Sequence, residues 1–273
     1  MNRNGVGISI VVLTHNRVHL LRQCVENTLR RTSPATKEIL IWNNASSDGT
    51  RAYLDSLVDP RFRVIHHHTN IGQNAYALAF QLTSAEYLVE LDDDVIEAPM
   101  EWDKALLDAF LVLPGIGFLA ANLEDDDHDT GARTMRERAH LYTRVQVNGV
   151  DLLKGPTGGA CTMTSRELHD RVGGFPQQKG SVFWLEDAAY VASIAKLGYE
   201  AAFVENLRVH HAGGPYYAQD SPEKRAYWET YHKTALRKNA IKRMLLSVPF
   251  VGRLNARFRW FQPPSTSSPA NAA

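Results

Sequence analysis

Four short apolar runs, each followed by a polar turn and then by a helical pattern, constrain this chain more than any other feature. They are residues 8–13 (ISIVVL), 37–44 (KEILIWNN), 62–68 (FRVIHHH) and 86–91 (EYLVEL). The first is β-branched and apolar without alternation, the pattern of a strand covered on both faces. Between the runs, residues 18–31 place Leu20, Leu21, Cys24, Val25, Thr28 and Leu29 at helical spacing. Residues 46–57 read as a turn opening a helix, with Ser47 or Asp48 as its N-cap. Residues 70–83 read as a loop and helix, 101–114 as a helix, and 115–121 as the next strand. Strands alternating with helices predict an α/β fold, a mostly parallel, mixed central sheet flanked by helices. In such sheets ligands bind at the carboxyl ends of the strands. With 273 residues, 44% of them hydrophobic, the chain can bury one substantial core.

The later sequence is less regular. Residues 124–140 are polar and read as a flexible loop, including the acidic run Glu124-Asp125-Asp126-Asp127. A glycine-rich turn at 155–160 leads into a strand, then a helix at 165–173, a helix at 184–198, and one or two short strands at 199–211. The net charge of zero hides an asymmetry. From Thr230 onward there are eight basic residues and no Asp or Glu, so the preceding part carries 22 basic and 30 acidic residues. The expected organisation is a catalytic domain over 1–229, a basic amphipathic helical extension over 230–262 and a disordered tail over 263–273. The extension predicts a helix to about Ser247, broken by Pro249. Its apolar face either packs on the domain or lies on an anionic membrane. The acidic body argues against nucleic acid as a partner. The apolar run at 8–13 is too short for a signal peptide or a membrane span. Cys24 and Cys161 are far apart and lack metal-ligand spacing, so a reduced, cytoplasmic setting is expected.

Four polar groups fall at the predicted carboxyl ends: Thr14-His15-Asn16-Arg17, residues 43–49, Asn70-Ile71-Gly72, and Asp92-Asp93-Asp94. The last is the most telling. Three successive carboxylates at the end of an apolar strand repel one another; either they form a solvated acidic turn or a divalent cation relieves that repulsion. The run His66-His67-His68 reads as a solvated strand end, because strand alternation sends neighbouring side chains to opposite faces.

The segments SIVVLTHNR, IWNNASSDGT, NIGQNAYALA, LDDDV, GGACTMTSRELHDRVGGF, WLEDAAYVASIAKLGYEA and VHHAGG follow one another in the order seen in bacterial family 2 glycosyltransferases, inverting enzymes of the GT-A fold. The resemblance covers about residues 7–215. It implies that Thr14, Asn16, Arg17, Asn43, Asp48, Asn70, Gly72, Asp92 and Asp93 hold the nucleotide of a nucleoside-diphosphate sugar. Asn43 stands where many uridine-nucleotide users have Asp. Its carbonyl still suits uracil or thymine, so a UDP- or dTDP-type donor fits, or the side chain caps the following turn. By the same resemblance Asp94 and Asp92 bind Mn²⁺ or Mg²⁺ at the diphosphate. One imidazole of His210-His211 completes that shell or contacts the diphosphate, with the His-x-x-Gly pattern favouring His210, or it is a buried structural histidine. Gly158, Gly159 and Ala160 let the backbone approach the donor sugar. Trp184, with Tyr216 and Tyr217, can stack on sugar rings.

Inversion requires a base for the acceptor hydroxyl. Asp187, with Glu186 beside it, matches the family's Glu-Asp pair at a helix start, although the helix dipole alone also favours acids there. The implied acceptor is a glycan or lipid-linked glycan of cell-surface polysaccharide synthesis, met at the inner face of the plasma membrane. A nucleotidyltransferase would share the sheet and the cation, but LTHNRVHLL lacks its glycine-rich basic loop. A catalytically silent sugar-nucleotide or glycan-binding module would be expected to have lost the aspartates or the Glu-Asp pair.

Overall fold

The β-branched opening run folds as the central strand its pattern predicts. In the computed structural model, which describes residues 7–125, 129–179, 185–212 and 244–245, β1 (Ile8–Thr14) pairs in parallel with β2 (Thr36–Asn44) on one side and β4 (Tyr87–Asp92) on the other. The chain divides into two units, Met1–Asp220 and Ser221–Ala273, and the second contributes only the helical pair Met244-Leu245 to the described residues.

The sheet of the first unit has the order β3-β2-β1-β4-β9-β6-β10-β8-β7. Its further strands are β3 (Phe62–His67), β6 (Ile116–Leu123), β7 (Thr143–Val147), β8 (Val150–Lys154), β9 (Cys161–Ser165) and β10 (Glu200–His211). The short β5 (Val95–Glu97) pairs with the end of β10. Strands β1, β2, β3, β4, β6 and β10 run in one direction, and β9 is inserted antiparallel between β4 and β6. That insertion positions the site. It brings the residues just before β9 to the edge where the other strands end.

Continuous apolarity in β1 serves two cores. Ile8, Ile10 and Val12 face one side, with Leu21, Cys24 and Val25 of α1 (Val18–Arg31) and Trp102 and Leu106 of α4 (Trp102–Leu111). Val11 faces the other side. It joins the cluster of Tyr76 from α3 (Asn74–Ala79), Leu168 from α6 (Arg166–Val172), and Tyr190 and Ile194 from α7 (Glu186–Ala195). The period of two in a strand sends alternate side chains to opposite faces, so a strand between two helical layers is apolar on both; a buried exception, Ser9, donates to Glu38 Oε2 at 2.8 Å.

Two expectations change, and one element had no expectation. The segment expected as a helix over 46–57 contains only the short α2 (Thr50–Leu54), with Gly49 at its N-cap position. The polar stretch expected as a flexible loop contains α5 (Thr130–Glu137), capped by the Asp129 side chain, which accepts from Gly131 N at 2.7 Å. Residues 143–154 form a hairpin whose turn, Asn148-Gly149, has φ of 49° and 84°. Asn-Gly tolerates that left-handed pair and was the available signal. At the other end, residues 199–211 form one bent strand, β10, with a register shift between Val204 and Arg208.

Candidate active site

The loops after β1 and β2 are sewn together. Asn16, at φ 54°, accepts from Ser47 N at 2.7 Å, and its own N–H donates to Ser46 Oγ at 3.0 Å. Asp48 accepts from Val18 N at 3.0 Å and Thr50 N at 3.0 Å, so one carboxylate caps the starts of both α1 and α2. Asn43 is buried. Its Oδ1 accepts from Ser46 N at 3.0 Å, the turn-capping role, while Nδ2 lies 3.0 Å from His66 Nδ1. His66 in turn reaches Asp55 at 2.9 Å, so of the histidine run it is locked rather than solvated. Ala45 is held at φ 59° between these contacts, a left-handed conformation that costs about 1 kcal/mol without a side-chain hydrogen bond to ease it. The loop after β3 is organised by Asn44, which the sequence placed in the 43–49 group without a role of its own. It donates to Asn70 Oδ1 at 2.8 Å and Gly72 O at 3.2 Å and accepts from Ile71 N at 3.0 Å. Thr14 is 1% exposed, beneath these loops.

The three aspartates diverge. Asp92 remains part-exposed, with Tyr76 Oη donating to it at 3.4 Å. Asp93 and Asp94 are buried and share Arg17, whose Nη1 lies 3.0 Å and 3.1 Å from them. Burial pushes the Asp93 carboxyl up to about 7 despite Arg17. Burial also opposes ionisation of Asp94, but His211 and Arg17 hold it down at about 2. The structure brings His211, not His210, to this cluster. His211 Nε2 lies 3.1 Å from Asp94 Oδ1 and 3.6 Å from Asp92 Oδ2. His210 faces Glu124 instead, at 3.9 Å. Successive strand residues point oppositely, and the register shift between His210 and His211, where β10 meets β5, delivers the second histidine to the site.

Asp92, Asp94 and His211 each offer a ligand atom within 4.8 Å of one another. Asp94 Oδ1 is buried and accepts no hydrogen bond among the described residues. Burial works against a charged imidazole, yet Asp94, with Asp129 and Asp92, raises the His211 pKa well above its usual value. The corner therefore calls for positive charge. Two carboxylates and an imidazole suit Mn²⁺, and Mg²⁺ less closely because it favours oxygen ligands.

The antiparallel β9 sets the remaining groups beside this corner. Asp92 N donates to Ala160 O at 2.8 Å, fixing the 158–160 turn against the end of β4. Gly159 N donates to Asp187 Oδ2 at 3.1 Å. A Cβ on Gly159 would stand 2.7 Å from Glu90 Oε1, so only glycine fits there. Glu90 is a further residue missed in the sequence. It is 2% exposed, and neither oxygen has a hydrogen-bond partner among the described residues. Burial, then the charges of Glu186, Asp92 and Asp187, raise its pKa well above the carboxylate range. Burial and Asp187 do the same to Glu186. Asp187 is raised by burial and Asp92, against the stabilising N–H groups of Ala188 and Gly159. Carboxyls with raised proton affinity are suited to accept a proton near neutral pH. Trp184, Gly213, Gly214, Tyr216, Tyr217 and the basic extension lie outside the described residues, apart from Met244 and Leu245.

The model of Glycosyl transferase family 2 matches residues 9–173, more than half of the chain and all of the strand ends just described except β10. The chain is a family 2 glycosyltransferase. It is 31% identical over 111 residues to the "Putative colanic acid biosynthesis glycosyl transferase WcaA" of Escherichia coli K12, covering 40% of this chain and 38% of that one. It is 25% identical over 237 residues to the "Uncharacterized protein y4gI" of Sinorhizobium fredii, covering 80% of this chain and 26% of that one. The chain thus spans well under half the length of either curated relative. Among solved structures, this family 2 chain shares its fold with a mannosyltransferase from Pyrobaculum calidifontis in complex with GDP-Man and Mn²⁺. The TM-score is 0.55 at 20% identity, over 75% of this chain and 56% of that one. It shares it also with GalNAc-T7 bound to UDP, GalNAc and Mn²⁺, with a TM-score of 0.59 at 15% identity over 78% and 46%.

Proposed function

We propose that this glycosyltransferase moves a sugar, with inversion, from a nucleoside-diphosphate sugar to a hydroxyl of a glycan or lipid-linked glycan. The observation that carries the reading is the meeting of two unlike acidic groups at one sheet edge. Asp92, Asp94 and His211 form a cation-seeking corner, and Asp187 stands next to it against the Gly159 backbone. Asp187 takes the proton of the acceptor hydroxyl as that oxygen attacks from the face opposite the diphosphate. Glu186 contacts the acceptor beside it. Asp92, Asp94 and His211 would hold Mn²⁺ or Mg²⁺, which supplies neutralisation of the charge developing on the departing diphosphate. Arg17, already at the aspartates, offers a second positive group to the phosphates. Asn43 keeps one acceptor lone pair beyond its bond to Ser46, which matches the imide N–H of uracil or thymine and supports a UDP- or dTDP-type donor. The Mn²⁺ and sugar nucleotides of the two like-folded proteins support a cation-dependent donor site, and the relative named for colanic acid biosynthesis supports a polysaccharide product.

No described helix is long and apolar enough to cross a membrane. The acid-free basic segment at 230–262 supports peripheral attachment to an anionic inner membrane face. The test is incubation with a panel of sugar nucleotides and Mn²⁺, following free nucleoside diphosphate. Slow, cation-dependent hydrolysis of one donor without acceptor is expected. Release of pyrophosphate in place of nucleoside diphosphate would transfer the chain to nucleotidyl chemistry, and no release from any donor, with or without glycan acceptors, would refute transfer.

A further inference from the structure

We propose that Asp129 is a positioning residue that makes His211 a metal ligand by fixing its tautomer, an inference that rests on the cation reading above. Asp129 is 1% exposed, between the end of β6 and the start of α5. Its Oδ1 lies 3.1 Å from His211 Nδ1 and accepts from Gly131 N at 2.7 Å. Its Oδ2 is buried, with no hydrogen-bond partner among the described residues. Gly131 allows this approach, since a Cβ there would stand 3.2 Å from Asp129 Oδ1 and 2.7 Å from Leu123 Cδ1.

The chemistry follows from what a carboxylate can do. It accepts hydrogen bonds and donates none, so Nδ1 of the facing ring must carry the hydrogen. In the neutral ring that leaves the Nε2 lone pair aimed at Asp94 Oδ1, 3.1 Å away, and Asp92 Oδ2, 3.6 Å away. Without a metal a proton on Nε2 can bridge to Asp94; a cation entering the corner displaces that proton and takes the Nε2 lone pair as its ligand. The opposite tautomer would place N–H at Nε2, donate to Asp94 and close the site to a metal. Asp129 selects against it, the role that carboxylates play behind metal-bound histidines. The same oxygen caps α5, so the ring orientation and the first turn of that helix are set by one atom.

The test uses Mn²⁺ alone with the full chain. Binding is measured by electron paramagnetic resonance, and nitrogen ligation by the ¹⁴N modulation of the bound ion's spin echo. His211→Ala identifies the signal from the ring. Asp129→Ser keeps a good helix cap but has a hydroxyl that can donate or accept, so it no longer dictates the tautomer. We expect it to weaken Mn²⁺ binding about 10- to 100-fold and to diminish the ¹⁴N signal. Asp129→Asn still presents an acceptor oxygen and should lose less than about tenfold, with the ¹⁴N signal retained. Wild-type affinity and undiminished ¹⁴N modulation in Asp129→Ser, whatever its melting temperature, overturns the inference, as does an equal loss in both variants. Mn²⁺ bound by the wild type without ¹⁴N modulation removes His211 and Asp129 together while leaving a cation site. No Mn²⁺ binding by the wild type overturns the cation reading itself.

Discussion

The loops after β1, β2 and β3 and the acidic floor around β4, β9 and β10 share one sheet edge, yet they differ in which polar atoms they leave unpaired. In the first region Asn16, Asn43, Asn44, Asp48 and Asn70 hydrogen-bond to backbone or to one another. In the second, both oxygens of Glu90, Oδ2 of Asp93 and Oδ1 of Asp94 are buried without hydrogen bonds among the described residues. Buried polar groups are ordinarily satisfied, and leaving one unpaired costs about 1–3 kcal/mol. The first region is thus largely satisfied, with Thr14 Oγ1, Trp42 Nε1 and Gln73 Oε1 as its buried exceptions. The second concentrates its unpaired atoms on carboxylates, which suits the cation proposed above.

The largest effect should come from the second region. Asp94→Ala should lower cation-dependent turnover at least about 10³-fold and abolish Mn²⁺ binding, with the circular dichroism spectrum unchanged. Wild-type metal dependence in that variant would break the contrast between the two regions.

Asp187→Asn comes next. Turnover should fall about 10²- to 10⁴-fold, while donor affinity, measured by calorimetry, stays as it was. A parallel loss of donor affinity would make Asp187 part of the scaffold. The pH profile sharpens this. A base works ionised, so activity is present above its pKa and lost below it. Because burial and Asp92 raise that pKa, the acid limb of kcat/KM should lie above the ordinary carboxylate range. Asn at 187 should erase it.

Asn44→Ala probes the first region. It strands Ile71 N and frees Asn70, so chemical denaturation should register a loss of about 2–4 kcal/mol, with Mn²⁺ affinity untouched. A loss below about 0.5 kcal/mol would show the loops to be less tightly held than their hydrogen bonds suggest.

The smallest effect is expected at His210. Its contact with Glu124 is long and part-exposed, and such pairs contribute about 0–1 kcal/mol. His210→Ala should change Mn²⁺ affinity by less than about twofold. A drop of tenfold would reinstate His210 as a ligand in place of its neighbour.

The fold was legible wherever one strand carried its own signal. Residues 8–13 read as a strand between two layers, and LDDDV as a strand end carrying adjacent carboxylates, and both elements are found. The helix over Val18–Arg31 was legible at both ends. What escaped depended on partners distant in sequence. The His-x-x-Gly pattern pointed to His210, and only the pairing of β5 with β10 and its register shift bring His211 to the site instead. Glu90 reads as an ordinary polar residue in a strand until β9 lays Gly159 over it. Asp129 sits in a run of acids that looks solvated, and only the neighbouring end of β10 gives it a role. Asn44 follows a residue already assigned to the nucleotide and drew no notice of its own. The hairpin is different, because Asn148-Gly149 announced it locally.

The insertion of β9 and the late arrival of β10 also have a meaning in time. Asp92 and His211 are separated by about 120 residues, and Gly159 lies between them in the chain. At about 5–20 residues per second, a ribosome needs on the order of ten seconds to pass from the first acidic ligand to the imidazole. During that interval the strands β1 to β4 are available to assemble, but the cation corner lacks its third ligand. On the proposed cation reading, affinity for Mn²⁺ would be a timestamp of completion, acquired only when the last long strand docks beside β6. A pulse-labelled nascent chain should gain it in a single late step.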